Sequence, residues 1–178
     1  HASAKREHSL VNPLEVSSKS AIPLGRALSA FNLKLSASDV GSVPVEVVFQ
    51  GSKVFARGGP YIDLYRGTSL EAKRDRRIIE SGELQGFDFD GLSWELNPPT
   101  AFYDWVYIHA LTQNQPLAAE VLEYDAFTDI EFNPRKSINC QASSVARYSA
   151  LCARGLLDEA LSSQERFVSL YAQQTELF

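Results

Sequence analysis

Apolar and polar positions alternate in some stretches of this chain and follow a helical period in others. LSAFNLKL (28–35) alternates and predicts a strand, while GFDFDGLSWEL (86–96) alternates around an Asp-Gly pair, which is typical of a β-hairpin. TAFYDWVYIHALTQ (100–113) places large aromatic residues on more than one helical face and predicts a buried helix. The remaining predicted elements are an extended segment and turn (14–25), a loop (36–44), helices at about 45–56, 69–80, 116–123, 138–153 and 156–172, and a polar loop (123–137).

These elements predict a helix-dominated α+β fold with small irregular β-sheets or hairpins, because no βαβ alternation is present. A chain of 178 residues suits a single domain, 1–178, with a sizeable core. The opening HASAKREHSL has no apolar stretch, so residues 1–10 are expected to be a trimmed or disordered start. No apolar run approaches the roughly 20 residues of a membrane span, so no membrane association is expected.

Charge and cysteine content narrow the chemistry. A formal net charge of −5 means that any nucleic-acid role must rest on a local basic patch, and Lys73–Arg77 and Arg135–Lys136 are the two candidates. The ordinary alternative for such a run is a solvated helix face. Cys140 and Cys152 stand twelve apart in one predicted helical region, which disfavours a disulfide and favours a reducing, cytoplasmic setting.

Several common catalytic and cofactor motifs are missing. The sequence has no glycine-rich phosphate-binding motif, no nucleophile elbow and no zinc-site spacing, so no cofactor and no metal are predicted. His109 lies within an aromatic helix and is expected to be a core residue rather than a catalytic one. Without a histidine base, the chemistry is expected to rest on carboxylates or a lysine.

The segment VEVVFQGSKVF (45–55) carries the sharpest local signal. On a helix, Glu46, Gln50 and Lys53 form one narrow polar stripe. One interpretation is a surface helix that exposes this stripe. The other is a buried helix whose stripe lines a cavity, since Val and Phe cover most of the wheel and a buried charge must be paired. Gly51 weakens a helix, which indicates that something packs close to the backbone there.

The second polar cluster lies in the 123–137 loop and at the start of the next helix. Carboxylates, amides and cations at a loop-to-helix junction suit a polar ligand, although surface loops have a similar composition. Its members are Tyr124, Asp125, Asp129, Glu131, Asn133, Arg135, Lys136 and Asn139.

Taken together, these segments resemble the NADAR family of YbiA-like N-glycosidases. LSAFNLKL matches the Ser-x-Phe segment of that family, and VPVEVVFQGSKVF (43–55) matches its Glu-x-x-x-Gln-x-x-Lys helix. The basic AKRDRR, the Trp94 region and YDAFTDIEFNPRKSINCQA also correspond. Over nearly the whole chain, the sequence is similar to the subgroup of NADAR antitoxins associated with DarT-type toxins, which ADP-ribosylate guanine in DNA.

The resemblance implies an N-glycosidase that removes ADP-ribose from guanine in DNA and thereby acts as an antitoxin. The implied partners are ADP-ribosylated DNA with an unpaired or single-stranded guanine, ADP-ribose as product, and a cognate DarT-type toxin. One alternative is an N-glycosidase of a small phosphorylated riboflavin-pathway intermediate. Another is a non-enzymatic antitoxin that binds and blocks the toxin.

The resemblance also implies the residues of the site. The implied catalytic residues are Glu46, Lys53 and Asp129. The implied ligand-binding residues are Arg26, Ser29, Phe31, Asn32, Gln50, Gly51, Trp94, Asn133, Lys136 and Asn139. Phe31 and Trp94 suit stacking against an unpaired base. Lys53 could hold phosphate or ribose oxygens as an ammonium, or attack the anomeric carbon as a neutral amine.

Overall fold

Helices alternate with small sheets through residues 12–37, 41–130 and 139–175, which the computed structural model describes. The predicted helix-dominated α+β class is confirmed. The helices are α1 (Pro23–Ala27), α2 (Val45–Gly51), α3 (Ser69–Arg74), α4 (Arg76–Glu80), α5 (Ala101–Gln113), α6 (Gln115–Val121), α7 (Gln141–Ala153), α8 (Leu157–Ala160) and α9 (Gln164–Thr175), with a 3-10 helix at Ile62–Arg66. The strands are β1 (Pro13–Glu15), β2 (Lys34–Ala37), β3 (Gly41–Pro44), β4 (Lys53–Phe55), β5 (Leu84–Phe89), β6 (Leu92–Trp94) and β7 (Ala126–Thr128).

The described strands pair in three small groups. β1 runs parallel to β7, β2 pairs with β3 in an antiparallel hairpin, and β4, β5 and β6 form an antiparallel sheet in that order. The predicted hairpin at 86–96 is confirmed. Its turn residues Asp90 and Gly91 have φ of 50° and 77°, the backbone shape that matches the twist of paired strands.

Helix α5 is the centre of the core. All of Ala101–Ile108 is buried, together with Ala110 and Leu111, so the helix is covered on every face as its aromatic content predicted. It packs against α2, α6, α7, α9 and β2. Within the described chain no helix is long and apolar enough to cross a bilayer.

Two predictions near the polar stripe are wrong. The helix predicted to reach Ala56 ends at Gly51, and Lys53–Phe55 instead forms β4, in which Lys53 pairs with Phe87. The glycine weakens the helix, and the Lys-Val-Phe sequence suits strand pairing with β5. The strand predicted for 28–35 covers only its last two residues, because Leu28 to Leu33 form hydrogen-bonded turns.

Other boundaries shift for local reasons. The helix predicted at 69–80 breaks at Asp75, whose carboxylate caps α4 by accepting from the Arg77 N–H at 2.9 Å. The last predicted helix divides into α8 and α9. β3 lies within the predicted 36–44 loop and β7 within the predicted 123–137 loop. Residues 131–138, which include the rest of that polar loop and the predicted first residue of the next helix, lie outside the described residues.

Candidate functional site

The turn at 29–33 caps helix α2 with its own backbone. The N–H of Val45 donates to the carbonyl of Leu33, and the N–H of Glu46 donates to the carbonyl of Ala30, both at 2.9 Å. Pro44 offers no side-chain cap, so these carbonyls satisfy N–H groups that a helix start otherwise leaves unpaired. The turn therefore fixes where α2 begins and where its first carboxylate, Glu46, points.

Glu46, Gln50 and Lys53 form a continuous hydrogen-bonded chain. The Gln50 amide donates from Nε2 to Oε1 of Glu46 at 3.0 Å, and Lys53 Nζ donates to Oε1 of Gln50 at 2.7 Å. Glu46 is 8% exposed and Gln50 is 7% exposed, so these two are buried, whereas Lys53 is half-buried. The three side chains meet although Lys53 belongs to β4, because one residue, Ser52, separates the helix from the strand.

One further cation, Lys73, and two aromatic rings border this chain. Lys53 Nζ lies 4.7 Å from the centroid of the Phe49 ring, and Lys73 Nζ lies 5.2 Å from the centroid of the Phe31 ring. Lys73 also approaches Oε1 of Glu46 at 3.9 Å from helix α3. Rings flanked by cations suit a ligand with both a flat base and negative charge.

Burial changes the acidity of Lys53. Loss of hydration lowers the pKa of its amine to about 8, the Glu46 carboxylate partly opposes this, and the positive charge of Lys73 adds to it. More of such an amine is neutral near pH 7.5 than of an ordinary lysine. Lys53 therefore combines a usable nucleophile with an adjacent carboxylate.

Asp129 is the residue that directly follows strand β7. Pairing of β7 with β1 continues as far as the N–H of Val16, which donates to the carbonyl of Thr128 at 2.7 Å. Oδ2 of Asp129 accepts a hydrogen bond from Nε2 of Gln141 at 3.2 Å. Oε1 of Gln141 accepts from the N–H of Ala30 at 2.6 Å. Asp129 is thus tied to the turn that caps α2.

Tyr103 is a site residue that sequence reasoning missed. Burial raises the pKa of its phenol well above 10, and the charges of Tyr107, Glu46 and Asp129 add to the rise. The ring meets Phe49 edge-on, with 5.2 Å between centroids. A neutral phenol therefore stands within electrostatic reach of both candidate carboxylates. No sequence signal separates it from the other buried aromatics of α5.

Gly51 makes room for the protein itself. A Cβ added there would lie 2.5 Å from Cε1 of Tyr65 and 3.1 Å from the carbonyl oxygen of Tyr61. The Gly51 carbonyl also accepts from the Tyr61 N–H at 2.6 Å. The close neighbour predicted from the sequence is the 3-10 helix and its preceding residue, and Tyr65 occupies the space beside the Gly51 Cα.

Other residues named from the resemblance have structural contacts. Ser29 is fully buried and its hydroxyl accepts from the Phe31 N–H at 3.4 Å within the turn. Asn32 donates to the carbonyl of Arg26 at 2.8 Å, and Arg26 donates to the carbonyl of Ser20 at 2.6 Å. Both of these side chains are exposed; Asn32 ties the outer end of the turn to α1, and Arg26 ties α1 to the segment before it.

Trp94 lies apart from the polar chain. It is 3% exposed and packs among Phe102, Trp105 and Phe167, with ring centroids 5.2–6.4 Å away. The described contacts place it in the core beneath α5. Asn139 lies half-buried two residues before α7, while Asn133 and Lys136 lie outside the described residues.

Some arginines of the basic run 73–77 are engaged in ion pairs. Arg76 pairs with Glu80 at 2.8 Å, and Arg77 pairs with Asp63 at 2.8 Å and Asp75 at 2.9 Å. Arg74 is exposed and has no ion pair within the described part of the chain. No three His, Cys, Asp or Glu side chains among the described residues are grouped to hold a metal.

The described residues thus place a carboxylate–amide–lysine chain, bordered by aromatic rings, on an α+β scaffold. The chain belongs to the family of DarT1-associated NADAR antitoxins, whose model matches residues 1–177. This confirms the family inferred from the sequence motifs. Membership supports an antitoxin role and points to a toxin as partner. No curated protein matched the chain.

Proposed function

We propose that this protein is an ADP-ribosyl glycohydrolase that removes ADP-ribose from guanine in DNA and so reverses the modification made by a DarT-type toxin. The observation that carries the proposal is the Glu46–Gln50–Lys53 chain, in which a buried carboxylate is coupled to an amine with a pKa of about 8. A carboxylate and an activated nucleophile are groups that can carry out N-glycoside cleavage.

Lys53 acts as the nucleophile in this proposal. Its neutral amine attacks the anomeric carbon, the bond from that carbon to the guanine nitrogen breaks, and guanine leaves with the proton that the amine loses and Glu46 relays. Opening of the ribose ring then gives an imine on Nζ of Lys53, which water hydrolyses to free ADP-ribose and the amine. The low pKa of Lys53 supports this role because only the unprotonated amine can attack.

Glu46 and Asp129 provide charge and proton transfer around that carbon. An oxocarbenium-like transition state is stabilised by a nearby carboxylate, and Glu46 lies one amide away from the attacking amine. Glu46 can take the proton that the amine loses through a water or through the substrate. In this proposal Asp129 activates the water of the hydrolytic step.

The rim of the site suits a nucleotide in single-stranded DNA. Phe31 is half-exposed and offers a ring face for stacking against a displaced base. Beside it, α3 presents the exposed Lys73 and Arg74 toward a phosphate backbone. These local cations allow an acidic protein to hold DNA.

The first experiment measures release of ADP-ribose from an oligonucleotide carrying ADP-ribosylated guanine. Purified wild-type protein should release it without added metal, whereas Glu46→Gln and Lys53→Ala should be inactive while retaining the wild-type circular dichroism spectrum. Normal turnover by both variants would refute the site. A toxin neutralised by a stable complex that survives both substitutions would instead identify a binding antitoxin.

The second experiment tests the covalent step. Borohydride added during turnover should reduce the imine and leave an ADP-ribose-derived adduct on the peptide containing Lys53, detected by mass spectrometry. Glu80→Gln, a change in a solvent-exposed ion pair on α4, serves as the control and should be trapped like wild type. If the enzyme is fully active but yields no adduct, Lys53 holds phosphate or ribose oxygens as an ammonium instead of attacking the anomeric carbon. Turnover of a riboflavin-pathway N-glycoside in preference to DNA would identify that metabolite as the substrate.

A further inference from the structure

The peptide groups of Ala30 connect the backbone of Glu46, through Gln141, to the carboxylate of Asp129. Its carbonyl accepts from the backbone N–H of Glu46 at 2.9 Å, and its N–H donates to Oε1 of Gln141 at 2.6 Å. The other end of the same amide donates from Nε2 to Oδ2 of Asp129 at 3.2 Å. Ala30 is 2% exposed, while Gln141 and Asp129 are half-buried, so the path leads from the interior toward the surface.

Gln141 is suited to this position by its chemistry. A backbone N–H can only donate, so the atom of Gln141 facing Ala30 must be the carbonyl oxygen, which leaves the NH₂ group for Asp129. A glutamate could still accept from Ala30, but it would present an acceptor to Asp129 and repel it. An asparagine keeps both groups on a side chain shorter by one carbon.

We propose that Gln141 is a positioning residue that fixes the Asp129 carboxyl relative to Glu46, an inference that rests on the proposed glycohydrolase function. Helix α7 carries Gln141, the end of β7 carries Asp129, and the turn before α2 carries Ala30. These three elements are not adjacent in the sequence. The Gln141 amide therefore sets the distance between the carboxylate on α2 and the carboxylate after β7. Gln141 acts through Asp129.

The positioning of Asp129 by Gln141 has a measurable kinetic consequence. A displacement of a catalytic group by about 1 Å can cost on the order of 10²-fold in rate. A residue that orients Asp129 affects the chemical step, and its loss should lower kcat more than it changes KM. Its effect should also vanish once Asp129 itself has been removed.

The test is a double-mutant cycle measured by ADP-ribose release from the modified oligonucleotide. Gln141→Glu should lower kcat by at least tenfold and change KM by less than threefold, and Gln141→Asn should give a smaller loss of kcat. In an Asp129→Ala background, Gln141→Glu should change kcat by less than twofold. Gln113→Glu is the matched control, because Gln113 also accepts from a backbone N–H, that of Ser36 at 2.7 Å, on another helix.

The outcomes separate the two proposals. If the effects of Gln141→Glu and Asp129→Ala on kcat multiply independently, the positioning role is overturned and the glycohydrolase function still stands. The same conclusion follows if both Gln141 variants have the wild-type kcat. If Gln141→Glu does not fold by circular dichroism, the cycle is completed with Gln141→Asn and judged by the same criterion. A wild-type protein that releases no ADP-ribose would refute the proposed function and this inference together.

Discussion

Lys53 Nζ donates a hydrogen bond to Oε1 of Gln50 at 2.7 Å, joining the first residue of a strand to the last turn of a helix. The same glutamine amide donates to Glu46, so the amine and the carboxylate are coupled through one planar group. This arrangement holds the amine beside a negative charge while burial still lowers its pKa to about 8. The balance between these two effects can be measured.

Replacing Glu46 should make Lys53 more acidic. The Glu46 carboxylate raises the Lys53 pKa against the larger effect of burial, so Glu46→Gln should move that pKa below about 8. The pH midpoint for arylation of Lys53 by fluorodinitrobenzene, followed by peptide mass spectrometry, measures the change. Glu95→Gln, an exposed change, should leave the midpoint unaltered. An unchanged midpoint in Glu46→Gln would contradict the coupling.

Arg74 should contribute to DNA binding more than Arg76 does. Arg74 is exposed on α3 beside Lys73, whereas Arg76 is paired with Glu80 at 2.8 Å. Removing one phosphate contact should reduce the slope of log affinity against log salt by about 1. Arg74→Gln should show this reduction with a single-stranded oligonucleotide in fluorescence anisotropy, and Arg76→Gln should retain the wild-type slope. Equal slopes in the two variants would argue against this surface.

Gly51→Ala should destabilise the fold through a clash. The new methyl group would lie 2.5 Å from Cε1 of Tyr65, and overpacking of this kind costs about 1–3 kcal/mol. Urea denaturation followed by tryptophan fluorescence should show a lower midpoint. Gly67→Ala is the matched control, since its nearest described neighbours are 3.3 Å from an added Cβ and its φ is −98°. Comparable midpoints for the two variants would show that the Tyr65 ring moves aside.

Protonation of His109 should destabilise the fold in mild acid. It packs against Trp105, with 4.1 Å between ring centroids, and burial lowers its pKa to about 4. Because the unfolded chain binds this proton near pH 6.5, the free energy of unfolding should fall between about pH 6.5 and pH 4. His109→Phe should flatten that fall, measured by urea denaturation at each pH. A parallel pH dependence in the variant and wild type would assign the acid sensitivity to other groups.

The sequence predicts the hairpin and the central helix well because their signals are local. An Asp-Gly pair between alternating residues specifies a turn, and aromatic residues on every face specify a buried helix. The polar stripe was also recognisable from spacing alone. The Lys53 strand was not, because a short Lys-Val-Phe segment acquires its conformation by pairing with β5.

The site likewise divides into local and tertiary parts. The shared helix face of Glu46 and Gln50 follows from their spacing, since a four-residue separation brings side chains together on any helix. The contact of Gln141 with both Asp129 and the Ala30 turn depends on the folded arrangement, because it spans separations of 12 and 111 residues. Hydrogen bonds between distant segments depend on how the helices pack around α5, and no local pattern encodes that packing.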